Sequence, residues 1–523
     1  MANISVGQIP WGPVDAQASD NLFEVKWVEP PSIGTCLRED KWIISGEKGS
    51  GKSAIIKAVR DIYKKDYFAT SIVDFKALSF DLLYRNIVQI AETTNLDALR
   101  MLSTAWQYAI IAELIAECAN RDPHVYKQYA DRLRKLGRTG MVHARLESAL
   151  EEIWNTIEAF TRRQVAIPAE HRRANLVASG GLTASVLNEL RKMPIDDEFR
   201  EVRSGFFKQI AESRHNVILL LDGFDRLRNE KKNPDTYNLI FSALADAVLN
   251  INTYDNIPPY ISIKAVIPHD RYMNLRLRDT DKLSVLHSMI KWDRAALEDF
   301  VARRIEIISR ARGVQFNSLW RQVFPDAVTN TRCGLVEDSF EYILRHTMYR
   351  PRHFQAHFLK MGEMFPGEVL SEEMVSVSIA ESSRQIASYW IEEYDLDFPF
   401  VREFIKSLYQ RENVFTYKGL RGIIFDFQKG RGQDTGGQAI TAIAETLYTT
   451  GFLGILSDVE PGAERAGRYY PPSKGGKRTH FDFYFKSGRR EIIRTLQDES
   501  RVAIHPIFNE HLDLNTRLDL VVG

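Results

Sequence analysis

The stretch Lys41–Ser53, KWIISGEKGSGKS, decides the fold. Its apolar start, Trp42–Ile44, reads as a strand that runs into Gly46-Glu47-Lys48-Gly49-Ser50-Gly51-Lys52-Ser53, a G-x-x-x-x-G-K-[ST] loop. A helix-like segment, AIIKAVRDIYKK, follows from Ala54. Strand, loop and helix in that order are the setting a phosphate-binding loop requires. Glycines let the backbone curl so that its N–H groups point at phosphate oxygens, and the helix adds its positive N-terminal end. Gly46 through Ala54 are therefore the candidate nucleotide-binding residues. Lys52 is placed to reach the β- and γ-phosphates of ATP, and the Ser53 hydroxyl to ligate Mg²⁺.

Composition bounds what else the chain can be. Its 523 residues suggest three or four domains of ordinary size. Lys+Arg and Asp+Glu both number 69, so any nucleic-acid contact must be a local patch rather than a basic surface. Cys36, Cys118 and Cys333 form no C-x-x-C pair and no disulfide framework, which points to the reducing cytoplasm. The first residues lack the basic and apolar regions of a signal peptide, and no apolar run reaches the ~18 residues of a membrane span.

Taken in order, residues 1–40 are a leader expected to pack on the core. Its Glu24-Val25-Lys26 has no P-D pair upstream and reads as a plain edge segment rather than a nuclease motif. Ala69–Phe75 is a second buried strand. From 76 to 213 the pattern is helical, with candidate helices at 82–99, 101–120, 124–136, 142–163 and 196–214, and reads as an insertion. Its basic cluster, Arg162, Arg163, His171, Arg172 and Arg173, reads as a solvated loop that could touch phosphates. Asn216–Asp225, NVILLLDGFD, is a central strand ending in Asp222, the candidate Mg²⁺-shell carboxylate. Tyr260–Ile267 is a fourth strand, and His269–Arg271 at its end form a candidate γ-phosphate sensor. Leu286–Trp292 is a fifth strand, and Asp293 is the N-cap of the next helix. Alternating strands and helices predict an α/β core over 41–295 with a five-stranded parallel sheet of the additional-strand type.

Residues 296–381 read as a helical lid, with Arg350 and Arg352 around the helix-opening Pro351 as candidate lid sensors. Residues 382–523 read as a winged-helix-like domain. Helices lead to strands at 451–456 and 480–485, joined by a loop whose tip carries Arg465, Arg468, Lys474, Lys477 and Arg478. That tip is the candidate DNA contact, diluted by Asp458, Glu460 and Glu464.

Together the motifs resemble a set of bacterial P-loop ATPases akin to the STAND, KAP and origin-recognition-like initiator groups. The resemblance is carried by Gly12-Pro13-Val14-Asp15-Ala16, GEKGSGKSAI, LLLDGFD, IKWD ending at Asp293, and Arg303-Arg304-Ile305. Arg350-Pro351-Arg352, LYTTGFLGI and Ile504-His505-Pro506 complete it. Members are often encoded beside phage-defence or mobile-element genes. The resemblance implies catalytic roles for Lys52, Asp222 and a lid arginine, with ATP and Mg²⁺ as cofactors. Where many relatives place Glu after the Walker-B Asp, this chain has Gly223, which makes Asp225 the candidate base. The implied function is an ATP-driven switch or motor acting with DNA or an effector protein, as a homo-oligomer or within a hetero-complex. The alternative is a nucleotide-gated adaptor with negligible turnover.

Overall fold

The computed structural model of the chain describes residues 4–13, 20–74, 98–135, 197–222, 234–254, 259–277, 280–311, 313–330, 336–395, 398–458, 479–483 and 490–515. They divide into two compact units. One comprises Ser32–Lys48 and Lys52–Ile290; the other comprises Met1–Pro31, Gly49–Gly51 and Lys291–Gly523.

Among the described residues, the first unit is organised by five parallel strands: β1 (Ile43–Gly46), β2 (Ala69–Asp74), β3 (Val217–Asp222), β4 (Ile261–Pro268) and β5 (His287–Met289). Their order is β2-β3-β4-β1-β5. Every residue of β3 is buried, as a strand covered on both faces must be. This unit's helices of ten residues or more, among the described residues, are α1 (Lys52–Asp61), α2 (Ala98–Arg121), α3 (Pro123–Lys135), α4 (Asp197–Ser213) and α5 (Pro234–Tyr254). Trp106 and Ile110 of α2, Tyr126 of α3 and Phe206 of α4 share one core with β3 and α5. The described part of the expected insertion packs into the core of this unit. The expected helices at 82–99 and 142–163, and the basic cluster, lie largely or wholly outside the described residues.

β4 carries a lysine in its middle, and the fold accommodates it. Lys264 is fully buried, and its ammonium donates to the carbonyls of Arg38 and Lys41, each at 2.6 Å. Burial lowers its pKa to about 8. The fifth strand, expected over Leu286–Trp292, is shorter: Leu286 ends a helix that starts at Thr280, and the strand covers only His287–Met289.

The second unit has two apolar cores. One gathers α6 (Arg294–Ser309), α7 (Pro351–Met364) and the first half of α8 (Glu372–Asp395). Of the leader, expected on the core of the sheet, the part up to Pro31 belongs here instead, while the residues from Ser32 stay with the sheet unit. Ile4, Val6, Ile9 and Trp11 are buried in this cluster, and Trp11 stacks on Phe358 at 4.1 Å. Arg304 secures it. Buried over the Phe300 ring, it donates to the carbonyls of Trp11, Lys26 and Phe300, and burial lowers its pKa to about 9. The Glu24-Val25-Lys26 segment is a helical turn, Phe23–Lys26, rather than an edge, and buried Lys26 pairs with Asp20 at 2.6 Å. A two-stranded antiparallel sheet, β6 (Ala327–Thr329) with β7 (Val336–Asp338), interrupts the run expected to be all helix.

Histidines fill polar gaps in this core. His357 Nε2 donates to the His346 carbonyl at 2.9 Å while Nδ1 lies 2.7 Å from Ser382 Oγ. Burial lowers the pKa values of His346 and His353, and that of His357 to about 4.

The expected boundary at 381/382 falls inside α8. Val375 and Ile379 pack in the first core, Ile386 and Trp390 in the second. That second core also takes α9 (Val401–Lys406), α10 (Tyr417–Gly430) and α11 (Gly437–Thr449). It packs on an antiparallel sheet ordered β10-β9-β11-β8, of β8 (Val414–Thr416), β9 (Leu453–Asp458), β10 (Thr479–Phe483) and β11 (Arg501–Ile504). β9 and β10 are the expected pair, in a slightly shifted frame. Phe483 lies over Gly454, where an added Cβ would come within 2.7 Å of its ring.

Candidate functional site

β1 ends at Gly46 and α1 begins at Lys52, so the chain reverses within the loop. Two glycines make this possible. Gly49 (φ +83°) and Gly51 (φ +97°) occupy the left-handed region that a side chain disfavours. At Gly49 space is closed as well, since an added Cβ would lie 3.0 Å from Arg352 Cβ. Lys52 is buried and folds back beneath the loop, its ammonium donating to Gly46 O at 3.0 Å and Glu47 O at 3.3 Å. Ser53 and Ala54 are half-buried in the first turn of α1, Glu47 is half-buried and Lys48 is exposed. Ser50 Oγ is buried and has no hydrogen-bond partner among the described residues. An orphaned hydroxyl, two left-handed glycines and a lysine under the turn form a donor-rich cradle, which fits a polyphosphate. Lys52 would hold its outer phosphates, and the Ser53 hydroxyl with the Asp222 carboxylate would hold Mg²⁺, whose role is to neutralise charge on the transferring phosphoryl group.

Asp222 closes β3 and is buried. Its strand is not the neighbour of β1, because β4 stands between. Gly46 is in register with Pro268, and Leu221 with Ala265, so Asp222 sits level with Val266. Strand spacing and rise put it roughly 10 Å across the sheet and 7 Å along it from the start of the loop. Asp74, at the end of β2, is in register with Asp222.

The expected sensor segment at the end of β4 turns inward. Ser45 Oγ, just before the loop, lies 2.9 Å from His269 Nδ1 and 2.7 Å from His287 Nε2. A hydroxyl has one proton, so it donates to one imidazole and accepts from the other. His287 also stacks on Tyr272 at 3.6 Å. Ser45 and His287 escape a reading by motif, because a serine inside a strand and a histidine at its start carry no spacing signature.

Of the two arginines expected as lid sensors, Arg352 lies beside the loop, at Gly49. Its Nε is buried and has no hydrogen-bond partner among the described residues. Arg350 is buried as the N-cap of α7, following two consecutive left-handed residues, Met348 (φ 48°) and Tyr349 (φ 54°). Asp293 caps α6, accepting from the Ala296 amide at 2.9 Å. Asp225 and the basic tip of Arg465, Arg468, Lys474, Lys477 and Arg478 lie outside the described residues. Among the described residues, no cluster of three His, Cys, Asp or Glu could hold a metal, and no helix is long and apolar enough to cross a membrane.

Loop, sheet and buried strand-end carboxylate define a P-loop NTPase domain, and residues 42–244 match the KAP family P-loop domain. The domain binds nucleotide, and its class hydrolyses nucleoside triphosphates. Over 482 residues the chain is 22% identical to the "Putative transposon gamma-delta 80.3 kDa protein" of Escherichia coli (strain K12). The match covers 87% of this chain and 62% of that protein, so the chain spans less than two thirds of its relative. No solved structure matches the chain.

Proposed function

We propose that the protein is an Mg²⁺-dependent ATPase working as a switch or motor, which couples nucleotide state to engagement of DNA or an effector protein. The observation that carries this reading is the loop itself: Gly46–Ser53 folded between β1 and α1, with Lys52 beneath it and the buried Asp222 two strands away. The position of β4 between β1 and β3 supports the additional-strand division of P-loop NTPases. In that reading Lys52 and Ser53 bind the phosphates and the metal. Asp222 would help hold the metal, Asp225 would accept the proton of the attacking water, and Arg352 would stabilise charge at the loop.

The order α9-β8-α10-α11-β9-β10 supports a winged-helix reading of the C-terminal part, with β11 inserted between β8 and β9. In that reading α11 occupies the recognition position, yet it contains no Lys or Arg. DNA contact would then rest on the basic tip between β9 and β10. A relative named for a transposon supports a mobile-element setting. Assembly as a homo-oligomer, or with an effector encoded alongside, would let a neighbour's arginine complete the site. A second reading, a nucleotide-gated adaptor with negligible turnover, is favoured by Gly223 where a catalytic Glu would follow Asp222.

Phosphate release by the wild type, Lys52→Ala and Asp225→Asn, with and without double-stranded DNA, tests the proposal. Turnover lost in both variants and raised by DNA is the expected result. Wild-type binding of ATP without phosphate release under any condition would favour the adaptor.

A further inference from the structure

Trp292 stands at the start of the second unit's first long helix, and its indole does something unusual for that position. Nε1 donates to the carbonyl of Ser50, inside the phosphate loop, at 2.7 Å. The ring is steadied by an edge-to-face contact with Phe300, at 6.1 Å and 81°. The backbone after it is set by the Asp293 cap. A half-buried tryptophan held in this way has little freedom to leave the Ser50 carbonyl.

The consequence follows from the peptide plane. The Ser50–Gly51 peptide is trans, so its C=O and the Gly51 N–H point in opposite directions. Fixing the carbonyl toward Trp292 fixes that N–H away from it. Without a tether this peptide could flip, because glycine tolerates either sign of φ at Gly51. A flipped plane would present a carbonyl oxygen where the loop needs a donor, and an oxygen there repels an anion. Among the described residues nothing partners the buried Ser50 Oγ of the same residue.

We infer that Trp292 is a positioning residue for phosphate binding: its indole N–H selects the donor-inward orientation of the Ser50–Gly51 peptide. This rests on the reading of the loop as a nucleotide site and extends it to a residue outside the loop motif. Trp292 touches no phosphate in this account; it acts through the Ser50 carbonyl.

Trp292→Phe removes the donor and keeps an aromatic ring against Phe300, so the fold is retained, with a melting temperature near wild type. Binding is measured by calorimetry with Mg·ATP, Mg·ADP, inorganic tripolyphosphate and adenosine. One neutral hydrogen bond corresponds to a loss of roughly two- to tenfold in affinity. That loss is expected for the three phosphate-bearing probes and not for adenosine, with kcat falling less than KM rises. A purely structural role for Trp292 would weaken adenosine as much as ATP. Equal weakening of all four probes, or unchanged ATP affinity in the variant, overturns the assignment while leaving the nucleotide site intact. A wild type that binds no phosphate-bearing probe overturns the nucleotide reading itself, and this assignment with it.

Discussion

The two units of this chain solve the problem of burying polar groups in different ways. In the sheet unit, β3 is apolar until its last residue, and charge is concentrated at strand ends, where Asp222 sits. Lys264, midway along β4, departs from that pattern, and two backbone carbonyls receive its ammonium. In the second unit polar side chains lie inside the cores. Arg304 ties together the leader and α6, and His346, His353 and His357 lie among the helices. The first pattern leaves functional groups at an edge where a ligand can reach them. The second uses polar groups as internal fasteners, and these respond to protons and to packing.

If the units divide labour in this way, a core truncation in the second unit should change stability far more than nucleotide binding. Phe404 is fully buried in the core that α8 shares with α9 and α10. Phe404→Ala is expected to cost about 3–5 kcal/mol in denaturant unfolding. ATP affinity at a temperature where the variant is folded should stay within twofold. A large loss of affinity in the folded variant would break the division.

Acid should find the second unit first. His357 has a folded pKa lowered to about 4 by burial, while an unfolded histidine titrates near 6.5. The unfolded chain therefore binds the proton first as pH falls, and stability is lost between those two values. His357 alone contributes roughly 3 kcal/mol of that loss by pH 4. Melting temperature should fall steadily from pH 6.5 to 4, and less steeply in His357→Gln. Identical slopes in the two proteins would show that another group controls acid sensitivity.

A smaller effect sharpens the comparison at the loop. Gly49→Ala combines a left-handed φ with a Cβ 3.0 Å from Arg352. It should cost about 1–3 kcal/mol. Because the strain lies in the cradle, ATP affinity should fall as well, which distinguishes it from a truncation such as Phe404→Ala. An unchanged ATP isotherm would show that the cradle yields without cost.

Much of the sheet unit was legible in the sequence for a physical reason. A loop motif with fixed chemistry and strands buried on both faces leave marks within a few residues of one another. β1, β3 and β4 are such strands. The expected β5 runs too far at its C-terminal end, because Ile290 and Trp292 are as apolar as the strand they follow, yet the ladder stops at Met289. In the second unit the information lies far apart in the chain. β8 and β11, three and four residues long, are too short to show a period and exist because they pair with each other. Ile4, Val6, Ile9 and Trp11 signal burial, but nothing in them names α7 as the surface they cover. At the site, Lys52, Ser53 and Asp222 follow from motif and strand end. Trp292 does not, because a hydrogen bond to a backbone carbonyl leaves no trace in the residue that accepts it.

The central claim is that the Gly46–Ser53 loop binds and turns over ATP, with Lys52 as its principal cation. Steady-state phosphate release with saturating Mg·ATP, wild type beside Lys52→Ala, tests it most directly. The account predicts wild-type turnover, and loss of turnover with ATP affinity down about 100-fold in the variant. Equal phosphate release from the two proteins would contradict it.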